Sequence, residues 1–197
     1  SYRSKKKLED IRAKFARDID PSGLNAVELD GERAELGEIQ AALASVPFLA
    51  KKRMVVVKYA IASAGKKEGE ALAELLDRVP EDTILVLYER VGAADLEDSP
   101  AFKKLKDSKF YPEFKLLGPK ELQVWIVAEA KERGVSFTDE GLKAYIPLAG
   151  NDAWKIAGEL DVLSALARSA DAPIGPAFVR EIAHLEAEES VFDFLDA

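Results

Sequence analysis

Two short apolar runs constrain this chain more than any other feature in it. Met54-Val55-Val56-Val57 and Ile84-Leu85-Val86-Leu87-Tyr88 show no apolar-polar alternation, so neither suits a sheet with one face in water. Strands that are apolar on both faces belong inside a parallel sheet covered by helices, and the neighbouring segments supply those helices. Leu8, Ile11, Phe15 and Ile19 recur at three- and four-residue spacing, which predicts an amphipathic helix over residues 4–19, stopped by Pro21-Ser22-Gly23. A short strand over residues 26–29 and a helix over 36–44, ended near Pro47, precede the first apolar run. A helix over 66–79 and a Pro80-Glu81-Asp82 turn precede the second. A helix around 101–106 and a strand over 111–116 complete an α/β domain, with three layers and right-handed crossovers expected.

Beyond Gly118-Pro119 the periodicity is helical only. Leu122, Trp125, Ile126 and Ala130 fall on one stripe closing at Gly134, and Thr138 with Asp139 and Glu140 caps the next helix. Asn151-Asp152 caps a longer helix carrying Trp154, Ile156, Ala157, Leu160, Leu163 and Leu166, and a last helix is expected over about 176–184. The organisation expected is an α/β domain over 1–117, a helical lid over 118–187, and the opening of a further domain over 188–197, where Val191, Phe192, Phe194 and Leu195 have no remaining chain to cover them.

Composition narrows the function classes. The 197 residues contain no cysteine, which excludes a disulfide framework, a thiolate metal site and a cysteine nucleophile. With His184 the only histidine, a zinc site or a Ser-His-Asp triad is not supported. A net charge of -8 opposes autonomous binding to a phosphate backbone, so any DNA contact is local or shared with partners. The basic residues Lys5, Lys6, Lys7, Arg12, Lys14 and Arg17 of the first helix read as a solvated face. No apolar run approaches membrane-spanning length, the N-terminus lacks the apolar core of a signal peptide, and a cytoplasmic location is expected.

Several local signatures carry a resemblance. The stretch Ala41 to Val57, with Val46-Pro47-Phe48-Leu49 and Lys51-Lys52-Arg53 between a helix and a strand, is similar to the helix, apolar tip and strand of bacterial clamp-loader delta subunits. Pro119 to Lys131, Gly150 to Leu163 and Val191 to Ala197 are similar to the lid and the start of the third domain of that family. The chain thus resembles the delta-subunit family of the DNA polymerase III clamp loader, an ATP-independent branch of the AAA+ superfamily. The resemblance implies a three-layer AAA+-like parallel sheet domain followed by a small all-helical lid. It implies a strand upstream of the first helix here, and a collar domain through which the other loader subunits assemble. It also implies binding to the beta sliding clamp, whose ring delta opens so that it can be loaded onto primed DNA during replication, with DNA contacted only within the assembly.

Catalysis and cofactors are not expected. Gly65-Lys66 suggests a phosphate-binding loop, but Ala60 stands where a glycine is needed and Lys67 where a magnesium-binding Ser or Thr is needed. The strand ending at Val57 continues into Lys58-Tyr59, where an AAA+ ATPase carries acidic residues, and Trp154 stands about where the superfamily's lid arginine contacts phosphate. Asp139-Glu140 and Glu188-Glu189 read as solvated neighbours rather than facing acid-base pairs. No metal site is expected.

The residues left to carry function are Val46, Phe48 and Leu49, an apolar group at a loop tip that would ordinarily be polar. Two readings are open from the residues alone: a staple folded back onto the sheet, or a plug for a partner's pocket. The resemblance implies the plug, seated in the hydrophobic pocket of the clamp, with Lys51, Lys52 and Arg53 meeting its acidic rim. An AAA+ ATPase and a generic interaction scaffold, with Phe48 and Leu49 in the core, are the alternatives.

Overall fold

The computed structural model describes residues 1–106, 110–167 and 172–181. The chain divides into two compact units, residues 3–115 and residues from 116 onward.

In the first unit, helix α1 (Tyr2–Asp18) leads to strand β1 (Ala26–Asp30), helix α2 (Leu36–Ala44) and strand β2 (Arg53–Lys58). Helices α3 (Ala60–Ser63) and α4 (Lys66–Leu76), strand β3 (Thr83–Tyr88), and helices α5 (Ala93–Leu96) and α6 (Pro100–Leu105) follow. The three strands form one parallel sheet in the order β1-β2-β3, with Met54 opposite Ala26 on one side and Ile84 on the other. Because successive side chains of a strand point to opposite faces, β2 and β3 divide between two cores. Met54, Val56, Ile84 and Val86 pack with Leu8 and Phe15 of α1. Val55, Val57, Leu85 and Leu87 pack on the other face, with Ile39 and Leu43 of α2, Leu72 and Leu75 of α4, and Phe102 of α6. The lack of alternation in these runs therefore has its expected cause: helices cover both faces of the sheet.

The strand expected over 111–116 does not form; this stretch has no ladder partner among the described residues. Pro112 has no N–H to donate to a ladder. The side chains find other partners: the Tyr111 ring meets Phe102 edge-on at 5.4 Å, and the Arg3 guanidinium lies 5.6 Å from the Phe114 ring centroid. Arg3 also donates to the Lys115 carbonyl at 2.9 Å, so apolar alternation here marks packing without sheet pairing. The helix expected over 66–79 stops at Leu76, before Pro80. The short helices α3 and α5, of four residues each, are too brief to leave a periodic signal.

The second unit contains α7 (Pro119–Glu132), α8 (Asp139–Ala149) and α9 (Ala153–Ala167), with residues 176–181 also helical. Its starts are capped by side chains: Glu121 accepts from the Gly118 N–H, Thr138 from Gly141, and Asp152 from Trp154. Leu122, Ile126, Tyr145, Ile156, Leu160 and Val179 meet in its core. The remainder of the last expected helix, with His184, and the expected opening of a further domain over 188–197 lie outside the described residues, as does Glu188-Glu189.

Candidate partner-binding site

Helix α2 ends at Ala44, where the Ser45 hydroxyl bonds back to the Ala41 carbonyl, and the chain then crosses to β2 through residues 45–52. Pro47 lies in this crossing and excludes a continued helix. Val46 is 81% exposed, Phe48 59% and Leu49 91%, so none of the three folds back onto the sheet. Leu49 holds a left-handed backbone with φ of 54°, an unusual state for a branched apolar residue.

What fixes this tip comes from the loop after α1. The Asn25 side chain accepts from the Phe48 N–H at 2.5 Å and donates to the Phe48 carbonyl at 2.9 Å. Asp20 holds Asn25 in turn, accepting from its main-chain N–H at 2.7 Å and from its side-chain nitrogen at 3.0 Å. Ser22 donates to the same carboxylate at 2.5 Å. Asp20 and Asn25 are only 1% and 4% exposed, so these are buried polar groups with their bonds made. The hydrogen bond from Ser22, supported by those from Asn25, keeps the Asp20 carboxyl below the usual carboxylate range despite burial.

Of the expected basic flank, Lys51 and Lys52 are exposed and Arg53 is half-buried as the first residue of β2. The Lys52 ammonium donates to the Glu81 carbonyl at 3.2 Å, tying it to the turn before β3. Asn25 and Asp20 were not among the residues the sequence singled out. The turn-forming run Asp20-Pro21-Ser22-Gly23 is visible there, but nothing marks its partner 23 residues beyond Asn25.

The carboxyl ends of the strands hold the charged and aromatic residues Lys58, Tyr59, Glu89 and Arg90. Lys58, ending β2, pairs with Glu28, which also takes Arg12 at 2.6 Å. Tyr59 has φ of 64°, and its ring lies 4.6 Å from the Arg90 guanidinium and 5.9 Å from the Tyr88 ring. Arg90 pairs with Glu32. Helix α3 separates β2 from Gly65-Lys66, so that dipeptide opens α4 without following directly from a strand. Glu89 accepts from the Ile61 N–H at 2.7 Å, while its second oxygen is buried without a hydrogen-bond partner. Burial pushes the Glu89 carboxyl above its usual range, against the Ile61 and Ala62 N–H groups. No group of three acidic or histidine side chains able to hold a metal ion occurs among the described residues. Trp154, in the second unit, is about half exposed, and Asp139 and Glu140 open α8 without forming a facing pair.

A sequence model of the family described as DNA polymerase III, delta subunit, matches residues 4–115. The chain belongs to this family. Among solved structures, this delta-family chain is similar to the DNA clamp loader delta protein (YqeN) of Bacillus subtilis, with a TM-score of 0.59 and 23% identity, covering 90% of this chain and 55% of that one. It is also similar to the RuvB Holliday junction branch migration motor of Thermotoga maritima, with a TM-score of 0.53 and 15% identity, covering 94% of this chain and 69% of the motor. A RuvB variant from the same organism gives a TM-score of 0.56 at 15% identity, over 82% of this chain and 54% of that one. The chain therefore spans about half the length of the delta protein it resembles. At these identities the likeness establishes the fold, which is AAA+-like: a helix-covered parallel sheet followed by helices. No curated protein sequence matches the chain. Among the described residues, no helix is long and apolar enough to cross a membrane.

Proposed function

We propose that this chain is a non-catalytic clamp-loader subunit that binds the beta sliding clamp through Val46, Phe48 and Leu49, with Lys51, Lys52 and Arg53 at the rim, and opens the ring. The observation that carries this reading is the joint exposure of Phe48 and Leu49 at a pinned loop tip, in a chain of the delta family. Exposed apolar side chains on a fixed backbone lose little freedom on binding, which favours their use as an anchor. Burying each in a partner's pocket contributes about 1.5–3 kcal/mol, enough for a hot spot. The lysines affect association rate more than final affinity.

Ring opening requires only that the tip bind the open or strained clamp better than the closed one. In this reading ATP is turned over by other loader subunits, and this chain supplies neither cofactor nor catalysis to the polymerase holoenzyme. Primed DNA is met only inside the assembly, in line with a net charge of -8. The place of work is the cytoplasm.

The test is binding of the chain to the sliding clamp of its own bacterium, parent against Phe48→Ala with Leu49→Ala, with thermal melting alongside. Binding by the parent and loss of binding in a folded double variant is the expected result. Equal binding by both would sink the assignment of the tip, and no binding by the parent would sink clamp recognition by this chain.

A further inference from the structure

We propose that Asn25 is the positioning residue of the apolar tip, its side-chain amide holding Phe48 in one main-chain conformation so that Phe48 and Leu49 project together. The consequence for partner binding rests on the function proposed above; the consequence for tip conformation does not.

Three observations carry this. First, the Asn25 amide is fully used: one N–H goes to Asp20 at 3.0 Å, the other to the Phe48 carbonyl at 2.9 Å, and its oxygen accepts from the Phe48 N–H. Two acceptors face the nitrogen and a donor faces the oxygen, so the amide has a single consistent orientation. Second, the local chain uses only one bond of this side chain, the one to Asp20. The Asn25 N–H is already bonded to Asp20 and its carbonyl to the Met54 N–H at 2.8 Å, so the side-chain bonds to Phe48 are an addition directed at the tip. Third, Leu49 sits in a left-handed conformation that a branched residue keeps only where its surroundings over-determine it. The fixed peptide groups of Phe48 immediately before it supply that determination.

A swing of the tip away from this position takes both Phe48 partners from the Asn25 amide, which is buried beside the Asp20 carboxylate and has no water to replace them. The network thus disfavours the collapsed alternative in which Phe48 lies down on its own sheet.

The experiment uses the full chain and reads amide hydrogen exchange at Phe48, with Val56 on the central strand as the gauge of global opening. In Asn25→Ala, Phe48 exchange is expected to rise at least tenfold more than Val56 exchange, which reads the loss of the Asn25 bond to Asp20, and clamp affinity to fall at least tenfold. A second variant, Asn25→Asp with Asp20→Asn, keeps a carboxylate beside an amide and an acceptor for the Phe48 N–H but removes the donor to the Phe48 carbonyl. It is expected to lie between the parent and Asn25→Ala, and it decides the matter if Asn25→Ala unfolds. Phe48 protection equal to the parent in a folded variant overturns the proposal, as does a loosened tip with unchanged clamp affinity, or unfolding of both variants. If the parent does not bind the clamp, the proposed function fails, while the exchange rates still decide the role of Asn25.

Discussion

Gly31 lies so close against Ala60 that a Cβ at position 31 would stand 2.6 Å from both the Cα and the Cβ of Ala60. The approach is backbone to backbone, where the end of β1 meets the start of α3, and the Gly31 N–H bonds the Lys58 carbonyl at 2.7 Å across it. Gly31→Ala must therefore push two elements apart, and overpacking of this kind costs about 1–3 kcal/mol. Urea denaturation is expected to show that loss with an unchanged slope; a midpoint equal to the parent's would mean that α3 moves freely.

Leu49→Asn separates the fold of the tip from the clamp contact proposed for it. Asparagine accepts a left-handed backbone more readily than leucine, and Leu49 contributes almost nothing to the core at 91% exposure. The variant is expected to melt no lower than the parent while losing clamp affinity by roughly tenfold or more, as about 1.4 kcal/mol of lost apolar burial implies. A clear fall in melting temperature would place Leu49 in the fold rather than at a binding surface.

Two of the perturbed carboxylates, Asp20 and Glu89, give stability opposite pH dependences. Asp20 is held below its unfolded value, so its contribution is present at neutral pH and is lost as pH falls through the lowered folded value, below about pH 4. Glu89 is raised, so between its unfolded and folded values the native chain holds more proton than the unfolded one, and stability rises as pH falls through that window. Glu89→Gln is expected to flatten the upper window and leave the acid limb in place. Denaturant midpoints measured across acidic to neutral pH check this, and an unchanged profile would show Glu89 to be solvated.

In the second unit, Arg133 donates to Glu129 at 2.7 Å and to Asp161 at 2.7 Å, with Glu129 almost fully buried. Arg133→Met keeps much of the volume but removes the cation that offsets a buried carboxylate, at a cost of about 3 kcal/mol. Calorimetry of the full chain is expected to show that loss, and a shift below 1 °C would indicate that the pair is effectively solvent-screened.

A Cβ at Gly141 would lie 2.0 Å from the Ile174 carbonyl oxygen, inside the bonded approach of α8 to the chain before residues 176–181. Gly141→Ala is expected to unseat that chain, which limited proteolysis would report as new cleavage near Ile174.

How much of this was legible in the sequence follows from the range of each interaction. Helix α2 was placed at its observed bounds, and β2 and β3 to within one residue, because their signals are local: periodicity, β-branching and a following proline. The stretch 111–116 alternates apolar and polar residues as a half-buried strand does but forms no strand, because pairing depends on a neighbour that sequence pattern cannot specify. Val46, Phe48 and Leu49 stood out as apolar residues in a loop, yet whether they face in or out was open until the exposure of each was known. The pin that fixes them joins residues 23 apart, through an asparagine whose neighbours read simply as a turn.

The main-chain carbonyl of Asn25 accepts from Met54 while its side chain holds Phe48, so a single residue bridges the projecting loop and the middle strand of the sheet. A displacement of Phe48 therefore pulls on bonds that lead, through Asn25, to a strand paired on both sides. Mechanically, the tip is a wedge backed by a beam, with the sheet as its anvil.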